Sequence, residues 1–326
     1  MKKKLIFFGT PEIAVEIIKG INKHEFELLA VVTQTDKKVG RKQVLTFSAV
    51  KNYAIENEIK IFQPNKVKDI LEGLKQLNPD LILTCAYGKL LPQSVIDLVN
   101  GKAINVHASL LPKYRGSAPI QFSLINGDEF TGISLMQMVQ EMDAGDFYVQ
   151  DKIQITNNDD FGSLYRKLAK LGRDMIFKYL NDIYLDKIKP IKQEPNFVSF
   201  APKILSSMEK INFNESNIKI VNLIRALSPF PGAYAIINGS RYKIFKARKL
   251  REDEFFPMTL NFKRTGEIIF MDKEGFVVYS WRSMFKVLEI QKEGKNKVSA
   301  GSYFNNSNAD IKIGAIFNED ETKFDY

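Results

Sequence analysis

Imidazole and thiol groups are both scarce in this chain: its 326 residues include two histidines and one cysteine. The lone Cys85 excludes an intramolecular disulfide and, with so few histidines, leaves no recognisable zinc-ligand cluster, so no metal is expected. It sits in the apolar run Leu81-Ile82-Leu83-Thr84-Cys85-Ala86, which marks a small buried residue rather than a nucleophile. No segment approaches the roughly 18 apolar residues needed to span a bilayer. Met1-Lys2-Lys3-Lys4-Leu5-Ile6-Phe7-Phe8 begins like a secretion signal, but Gly9-Thr10-Pro11 breaks the run too early, and a reducing cytoplasmic setting is the expectation. Three motifs are also missing. Without Gly-x-Gly-x-x-Gly spacing after the first strand, a P-loop or a Gly-x-Ser-x-Gly elbow, nicotinamide chemistry, nucleotide hydrolysis and ordinary ester hydrolysis are excluded.

What is present describes an ordinary globular protein. Hydrophobic residues make up 44% and charged residues 26%, with a formal net charge of +9, and the chain is long enough for two cores. The positive charge is concentrated. Arg241, Lys243, Lys246, Arg248, Lys249 and Arg251 fall in one segment with no acidic residue, interleaved with Tyr242 and Phe245. Such a segment is either a phosphate-contacting surface or a solvated sheet face, and composition alone leaves both open.

Strand-like and helix-like segments alternate through the first half, the pattern of an α/β fold with a Rossmann-like, mostly parallel sheet and helices on both faces. Strands are expected at residues 4–8, 26–33, 60–62, 81–86, 103–106, 132–138 and 147–155. Pro11 opens a first helix, and a long helix is expected over 161–184. Residues 34–45 read as a polar loop. Pro190, Pro195 and Pro202 give the following stretch linker character. Five short strands then suggest a small β-barrel of the oligonucleotide-binding (OB-like) kind. The expected domains are residues 1–186, a linker at 187–205, and 206–326.

The two histidines differ in setting. His24 lies in the polar patch Asn22-Lys23-His24-Glu25, a solvated surface position. His107 ends the strand Ala103-Ile104-Asn105-Val106, and strand alternation puts Asn105 and His107 on one face, roughly 6–7 Å apart. With Asp143 from Met142-Asp143-Ala144-Gly145-Asp146, these form a minimal set for acyl transfer without a covalent intermediate. The amide can donate to a carbonyl oxygen, the imidazole can donate or take a proton, and the carboxylate can hold the imidazole and stabilise its charged form.

The run Asn105-Val106-His107-Ala108-Ser109-Leu110-Leu111-Pro112-Lys113-Tyr114-Arg115-Gly116, with Pro119-Ile120 and Asp143-Ala144-Gly145-Asp146, resembles the folate-dependent formyltransferases. Phe8-Gly9-Thr10-Pro11, Gln34-Thr35-Asp36, Gly40-Arg41, Ala86-Tyr87-Gly88, Met136-Gln137-Met138 and Ser228-Pro229-Phe230-Pro231-Gly232-Ala233 extend the likeness to the branch whose acceptor is methionyl initiator tRNA. The resemblance implies 10-formyltetrahydrofolate as co-substrate and Asn105, His107 and Asp143 as the catalytic set. It implies a folate site on Tyr87, Gly88, Leu90 and Pro92 together with Ser109, Leu110, Leu111 and Pro112. It implies RNA contacts from Arg41 and Lys42 in the first loop and from Arg241, Lys243, Lys246 and Arg248 in the second domain, on a protein that works as a monomer. The alternative within the superfamily is a formyltransferase acting on an amino-sugar nucleotide.

Overall fold

The computed structural model describes residues 1–40, 43–252, 254, 264–304 and 310–319. The chain divides into two compact units. Unit 1 is Met1–Pro119, Phe130–Gln154 and Tyr165–Lys203, and unit 2 is Ile120–Glu129, Ile155–Leu164 and Ile204–Tyr326.

In chain order the first half contains β1 (Lys3–Gly9), α1 (Glu12–Lys19), β2 (Phe26–Val32), β3 (Lys37–Val39), β4 (Val44–Thr46), α2 (Ala49–Glu56) and β5 (Lys60–Phe62). There follow α3 (Leu71–Gln76), β6 (Leu81–Cys85), α4 (Gln93–Ile96), β7 (Ala103–His107), α5 (Pro119–Ile125), β8 (Phe130–Gln137), β9 (Phe147–Gln154) and α6 (Phe161–Tyr184). Seven strands make one sheet in the order β5-β2-β1-β6-β7-β8-β9. The first five are parallel, and β8 and β9 run antiparallel to their neighbours.

The central strand is buried on both faces: Leu5, Ile6, Phe7 and Phe8 are all at 0% exposure. This explains why it reads as a continuous apolar run instead of an alternating one. On one face Ile6, Phe8, Ile82 and Ala103 pack with Val67, Leu74, Val95 and Val99. On the other, Ile17 of α1, Val106 and Ile133 close around Gly172 of α6. Each such aliphatic side chain stabilises the fold by about 1.5–3 kcal/mol when fully buried. Gly9 ends β1 because a Cβ there would lie 2.6 Å from Ala14 Cβ and 2.9 Å from the Cys85 carbonyl. α1 can therefore start close against the sheet.

The expected polar loop at 34–45 contains an antiparallel hairpin of β3 and β4, with Lys37 opposite Thr46. Three-residue strands carry too little periodicity to be seen in sequence. α5 was also not anticipated. The proline-marked stretch after α6 follows unit 1 closely: Ile191 exchanges backbone hydrogen bonds with Phe147 at 3.1 and 2.8 Å, and Ala201 N donates to the Arg115 carbonyl at 2.8 Å. No helix among the described residues is long and apolar enough to cross a membrane.

Unit 2 contains α7 (Asn217–Ala226), β10 (Ala233–Ile237), β11 (Ser240–Lys249), β12 (Ile268–Met271), β13 (Phe276–Ser280), β14 (Ser283–Lys292) and β15 (Val298–Ser299). Ser216 caps α7 by accepting from Lys219 N. The sheet order is β10-β11-β14-β13-β12, with β15 beside β14, and every ladder is antiparallel. The short-strand reading of this half is therefore right, but no closed barrel exists among the described residues. Irregular chain connects the outer strands instead: Ile268 N donates to the Ala315 carbonyl at 2.9 Å, and Asn318 N donates to the Ile236 carbonyl at 2.7 Å.

One ion cluster joins β11 and β14 to Glu254 and to the turn between β12 and β13. Lys286 is 1% exposed, with its ammonium 2.6 Å from Asp272, 2.8 Å from Glu274 and 3.2 Å from Glu254. Arg248 joins Glu254 at 2.6 Å and Glu274 at 2.8 Å. Arg248 holds Glu254 well below its ordinary carboxylate value, and Lys286, then Arg248, does the same for Glu274. Removing Lys286 leaves three carboxylates with Arg248 bridging two of them and Asp272 without its cation, so Lys286→Met is expected to destabilise by about 3 kcal/mol at neutral pH. The sign with pH follows from the depressed carboxylates. Their contribution is present above the unfolded value and lost as pH falls through the folded one, so the wild-type advantage narrows towards pH 4. Thermal melts of both proteins at pH 7 and pH 4 check this, and a gap that widens on acidification refutes it.

Candidate active site

The site lies within unit 1, where three stretches meet: the carboxyl end of β7, the turn 108–118 after it, and the loop 138–146 between β8 and β9. β7 is the last parallel strand, and its His107 faces Ser134 of antiparallel β8. This is the kind of position, at strand ends beside a change of sheet direction, where ligands collect in open α/β folds. Alternation along β7 puts Asn105 and His107 on the same face as Ala103, where the apolar core gives way to polar groups.

His107 is 5% exposed, and its Nε2 lies 2.9 Å from the Tyr114 carbonyl. A carbonyl oxygen can only accept, so Nε2 carries a hydrogen and donates it. Nδ1 is left as the working nitrogen, 3.7 Å from Asp143 Oδ1. That separation is too long for a hydrogen bond. The imidazole is therefore oriented by the Tyr114 carbonyl and not, as the residue types suggested, by Asp143, whose carboxylate lies beside the ring without bonding to it. Tyr114 itself takes a left-handed backbone (φ 63°), and its N–H donates to Ser199 Oγ at 3.0 Å.

The amide of Asn105 has an opposite neighbour on each side. Thr84 Oγ1 donates to Asn105 Oδ1 at 2.6 Å, and Asn105 Nδ2 lies 3.4 Å from Asp143 Oδ1. A flipped amide would set oxygen against carboxylate, so Thr84 and Asp143 together keep the NH₂ group directed into the site.

Asp143 also has a left-handed backbone (φ 51°), and its Oδ2 accepts from Gly116 N at 2.9 Å. Gly116 has φ 122°, and a Cβ there would fall 2.6 Å from the Ala201 carbonyl, so only glycine brings this N–H to the carboxylate. Gln193 Nε2 donates to the carbonyls of Asp143 at 2.8 Å and Gly145 at 2.7 Å. Thr84 and Gln193 were both missed in the sequence. Thr84 is in fact signalled there, as the one polar residue of the apolar run 81–86, whereas Gln193 in a proline-rich stretch carries no signal.

The residues expected around folate fall into two groups. Tyr87 is 4% exposed, edge-on to Phe8 with ring centroids 5.3 Å apart, and its carbonyl accepts from Thr10 Oγ1 and Gln34 Nε2. Its Oη is buried with no hydrogen-bond partner among the described residues, and burial pushes this hydroxyl up to about 12. An unpaired buried hydroxyl fits a polar ligand group. Gly88 (φ 80°) and Leu90 are exposed, and Pro92 is half-buried. In the second group Ser109 is already occupied: its hydroxyl donates to the Lys113 carbonyl, and its own carbonyl accepts from Ser134 Oγ, both at 2.6 Å. Leu111 is buried with its N–H on Ser134 Oγ and its carbonyl accepting from Gln150, while Leu110 and Pro112 are half-buried. These side chains build the turn. Cys85 is buried and its thiol is pushed up to about 12 by desolvation, which suits an inert core residue.

The expected RNA-contacting residues are separately placed. Arg41 and Lys42, between β3 and β4, lie outside the described residues. Arg241, Lys243, Lys246 and Arg248 are all on β11. Arg241 lies over the Tyr234 ring at 3.5 Å and pairs with Glu209 at 3.3 Å. Lys243 donates to the Pro231 carbonyl at 2.7 Å. Arg248 belongs to the Lys286 cluster, which raises its affinity for a proton above the ordinary guanidinium value, chiefly through Glu254. Lys246 is exposed, and no partner is found for it among the described residues.

Comparison with known proteins shows the family. Residues 2–180 match the model of the formyl transferase family, and residues 203–308 match the model of the formyl transferase C-terminal domain. A methionyl-tRNA formyltransferase of Mycoplasma capricolum subsp. capricolum is 44% identical over 97% of this chain and 99% of its own length. One of Malacoplasma penetrans is 42% identical over 96% of each chain. Among solved structures, an N-formyltransferase of Helicobacter canadensis, in complex with folinic acid and dTDP-3-aminofucose, superposes with a TM-score of 0.63 at 23% identity. The match covers 90% of this chain and 100% of that one, a likeness of fold. Turn, strand end and carboxylate loop thus occur in a chain related along nearly its whole length to known enzymes: it belongs to the formyltransferase family, in the branch of the methionyl-tRNA formyltransferases.

Proposed function

We infer that this protein transfers the formyl group of 10-formyltetrahydrofolate to the α-amine of methionyl initiator tRNA. The observation that carries the chemistry is the convergence of Asn105 Nδ2 and His107 Nδ1 on one oxygen of Asp143, at 3.4 and 3.7 Å. The acceptor is supported by kinship along nearly the full length with enzymes named for it. In the reaction one bond forms, between the amine nitrogen and the formyl carbon, and one breaks, between that carbon and the folate nitrogen. A proton passes from the first nitrogen to the second.

Each residue has a distinct task. Asn105, its amide held by Thr84, donates to the oxygen on which negative charge develops. His107 can donate there from Nδ1 only when both ring nitrogens carry hydrogen, because Nε2 is committed to Tyr114. The nearby Asp143 carboxylate offsets the charge of that ring and carries the amine proton toward the folate nitrogen. Tyr87, Gly88, Leu90 and Pro92 hold the pterin, and the turn Ser109-Leu110-Leu111-Pro112 shapes the wall beside it. A transferase acting on charged tRNA works in the cytoplasm, and one chain supplies every group named, so a monomer suffices. The test is a substrate comparison. With 10-formyltetrahydrofolate the purified protein should formylate methionyl initiator tRNA, and formylation of an amino-sugar nucleotide alone would overturn the reading.

For the RNA, Arg41 and Lys42 contact the acceptor end, and Arg241, Lys243, Lys246 and Arg248 form a phosphate-facing strand. Such contacts position the nucleic acid without reading its sequence. Lys246 is the cleanest probe, because reversing Arg248 would also break the Lys286 cluster. Lys246→Glu should weaken tRNA binding and lower the slope of log affinity against log salt by about one. Titrations at several salt concentrations check this; unchanged affinity and slope would remove Lys246 from the interface.

A further inference from the structure

We propose that Gln193 is a positioning residue for the transfer, acting through Asp143; the inference rests on the formyltransferase reading above. The residue is 8% exposed, and both donors and the oxygen of its carboxamide are engaged between the two loops of the site. One side donates twice, to the Asp143 and Gly145 carbonyls at 2.8 and 2.7 Å, and the other accepts from Arg115 Nε at 3.0 Å. Arg115 precedes Gly116, whose N–H holds Asp143 Oδ2, and its guanidinium also reaches Glu141 at 3.4 Å. Gln193 thus cross-links the segment that binds the carboxylate to the loop that carries it.

The surroundings make this link effective. Residues 191–201 are fixed at both ends, by the backbone pair of Ile191 with Phe147 and by Arg115 N on the Ser199 carbonyl at 2.9 Å, so Gln193 extends from a braced segment. Asp143 has a left-handed backbone, which costs a non-glycine residue some energy even though aspartate tolerates it better than most. Two carbonyls of that loop depend on one buried amide. Without it the loop relaxes towards ordinary backbone angles, and Asp143 Oδ1 leaves its place between Asn105 Nδ2 and His107 Nδ1. The residue touches no reacting atom, so its loss affects rate and not substrate affinity.

The test is a double-mutant cycle on the full-length protein, measuring formylation of methionyl initiator tRNA. Gln193→Met keeps the volume and removes every hydrogen bond. It should lower kcat about 30-fold, in the range expected for a misplaced proton-transfer group, with KM for both substrates little changed. In an Asp143→Asn background the same substitution should cost less than about 3-fold, since the group it positions is already disabled. Gln193→Glu, which keeps the Arg115 contact but sets a carboxylate against two carbonyls, should behave like Gln193→Met and serves if that variant folds poorly. Equal losses in both backgrounds, a loss confined to KM, or full activity of both variants would overturn the proposal. Wild-type protein inactive on methionyl-tRNA would instead overturn the functional reading.

Discussion

Replacing His107 with alanine is expected to lower the single-turnover rate of formyl transfer about 10³-fold while leaving tRNA affinity unchanged. Two contributions are removed together: the donor at Nδ1 that faces the developing charge, and the ionisable group paired with Asp143. Affinity should persist because His107 is not among the residues proposed above to contact the RNA, on β11 and between β3 and β4, and is itself 5% exposed. A structural cost accompanies the loss. His107 is buried and its Nε2 satisfies the Tyr114 carbonyl, so alanine leaves that oxygen unpaired, which costs about 1–3 kcal/mol of stability. Single-turnover kinetics with pre-charged tRNA, beside a thermal melt and a salt-controlled binding titration, separate these effects. A rate within tenfold of wild type would remove His107 from the chemistry.

How much of this site was legible in the sequence depends on which physical signal each residue left. Asn105 and His107 were visible as a pair because strand alternation is a strict period-two rule, and β7 obeys it. The parallel sheet was visible for a different reason, since Leu5–Phe8 of β1 and Leu81–Leu83 of β6 are continuous apolar runs, as strands buried on both faces are. Asp143 was visible only beside its motif, as its approach to His107 depends on a loop whose path no local pattern encodes. The orienting partner of the imidazole could not be read at all. It is the carbonyl of Tyr114, and a backbone oxygen has no letter of its own in a sequence. Gln193 was hidden differently, because its proline-rich neighbourhood signals a connector, whereas its amide is buried and bonded to two loops. The basic segment was legible as charge but not as pairing. Arg248 and Arg251 both reach Glu254 and Glu274, so part of the positive segment is compensated by one acid just beyond it and by another in the turn between β12 and β13.

Asp143→Asn is the second substitution with a large expected effect, a loss of about 10²–10³-fold in rate, and its reasoning rests on shape being preserved. Asparagine keeps an oxygen that can accept from Gly116 N, so the loop retains that anchor. The other position then becomes an NH₂ group facing Asn105 Nδ2, donor against donor, where a carboxylate oxygen now lies 3.4 Å away. Either the new amide or Asn105 must turn. If Asn105 turns, its carbonyl and not its NH₂ points at the developing negative charge. The charged form of His107 also loses its offsetting neighbour, and the amine proton loses its carrier. Because these effects share one oxygen, the His107→Ala and Asp143→Asn losses should not add: the double variant should be only a few-fold slower than the poorer single one. Rates for all three variants under single-turnover conditions decide the matter. Full additivity would mean that the two side chains act independently, and an Asp143→Asn rate within a few-fold of wild type would mean that the carboxylate carries no proton.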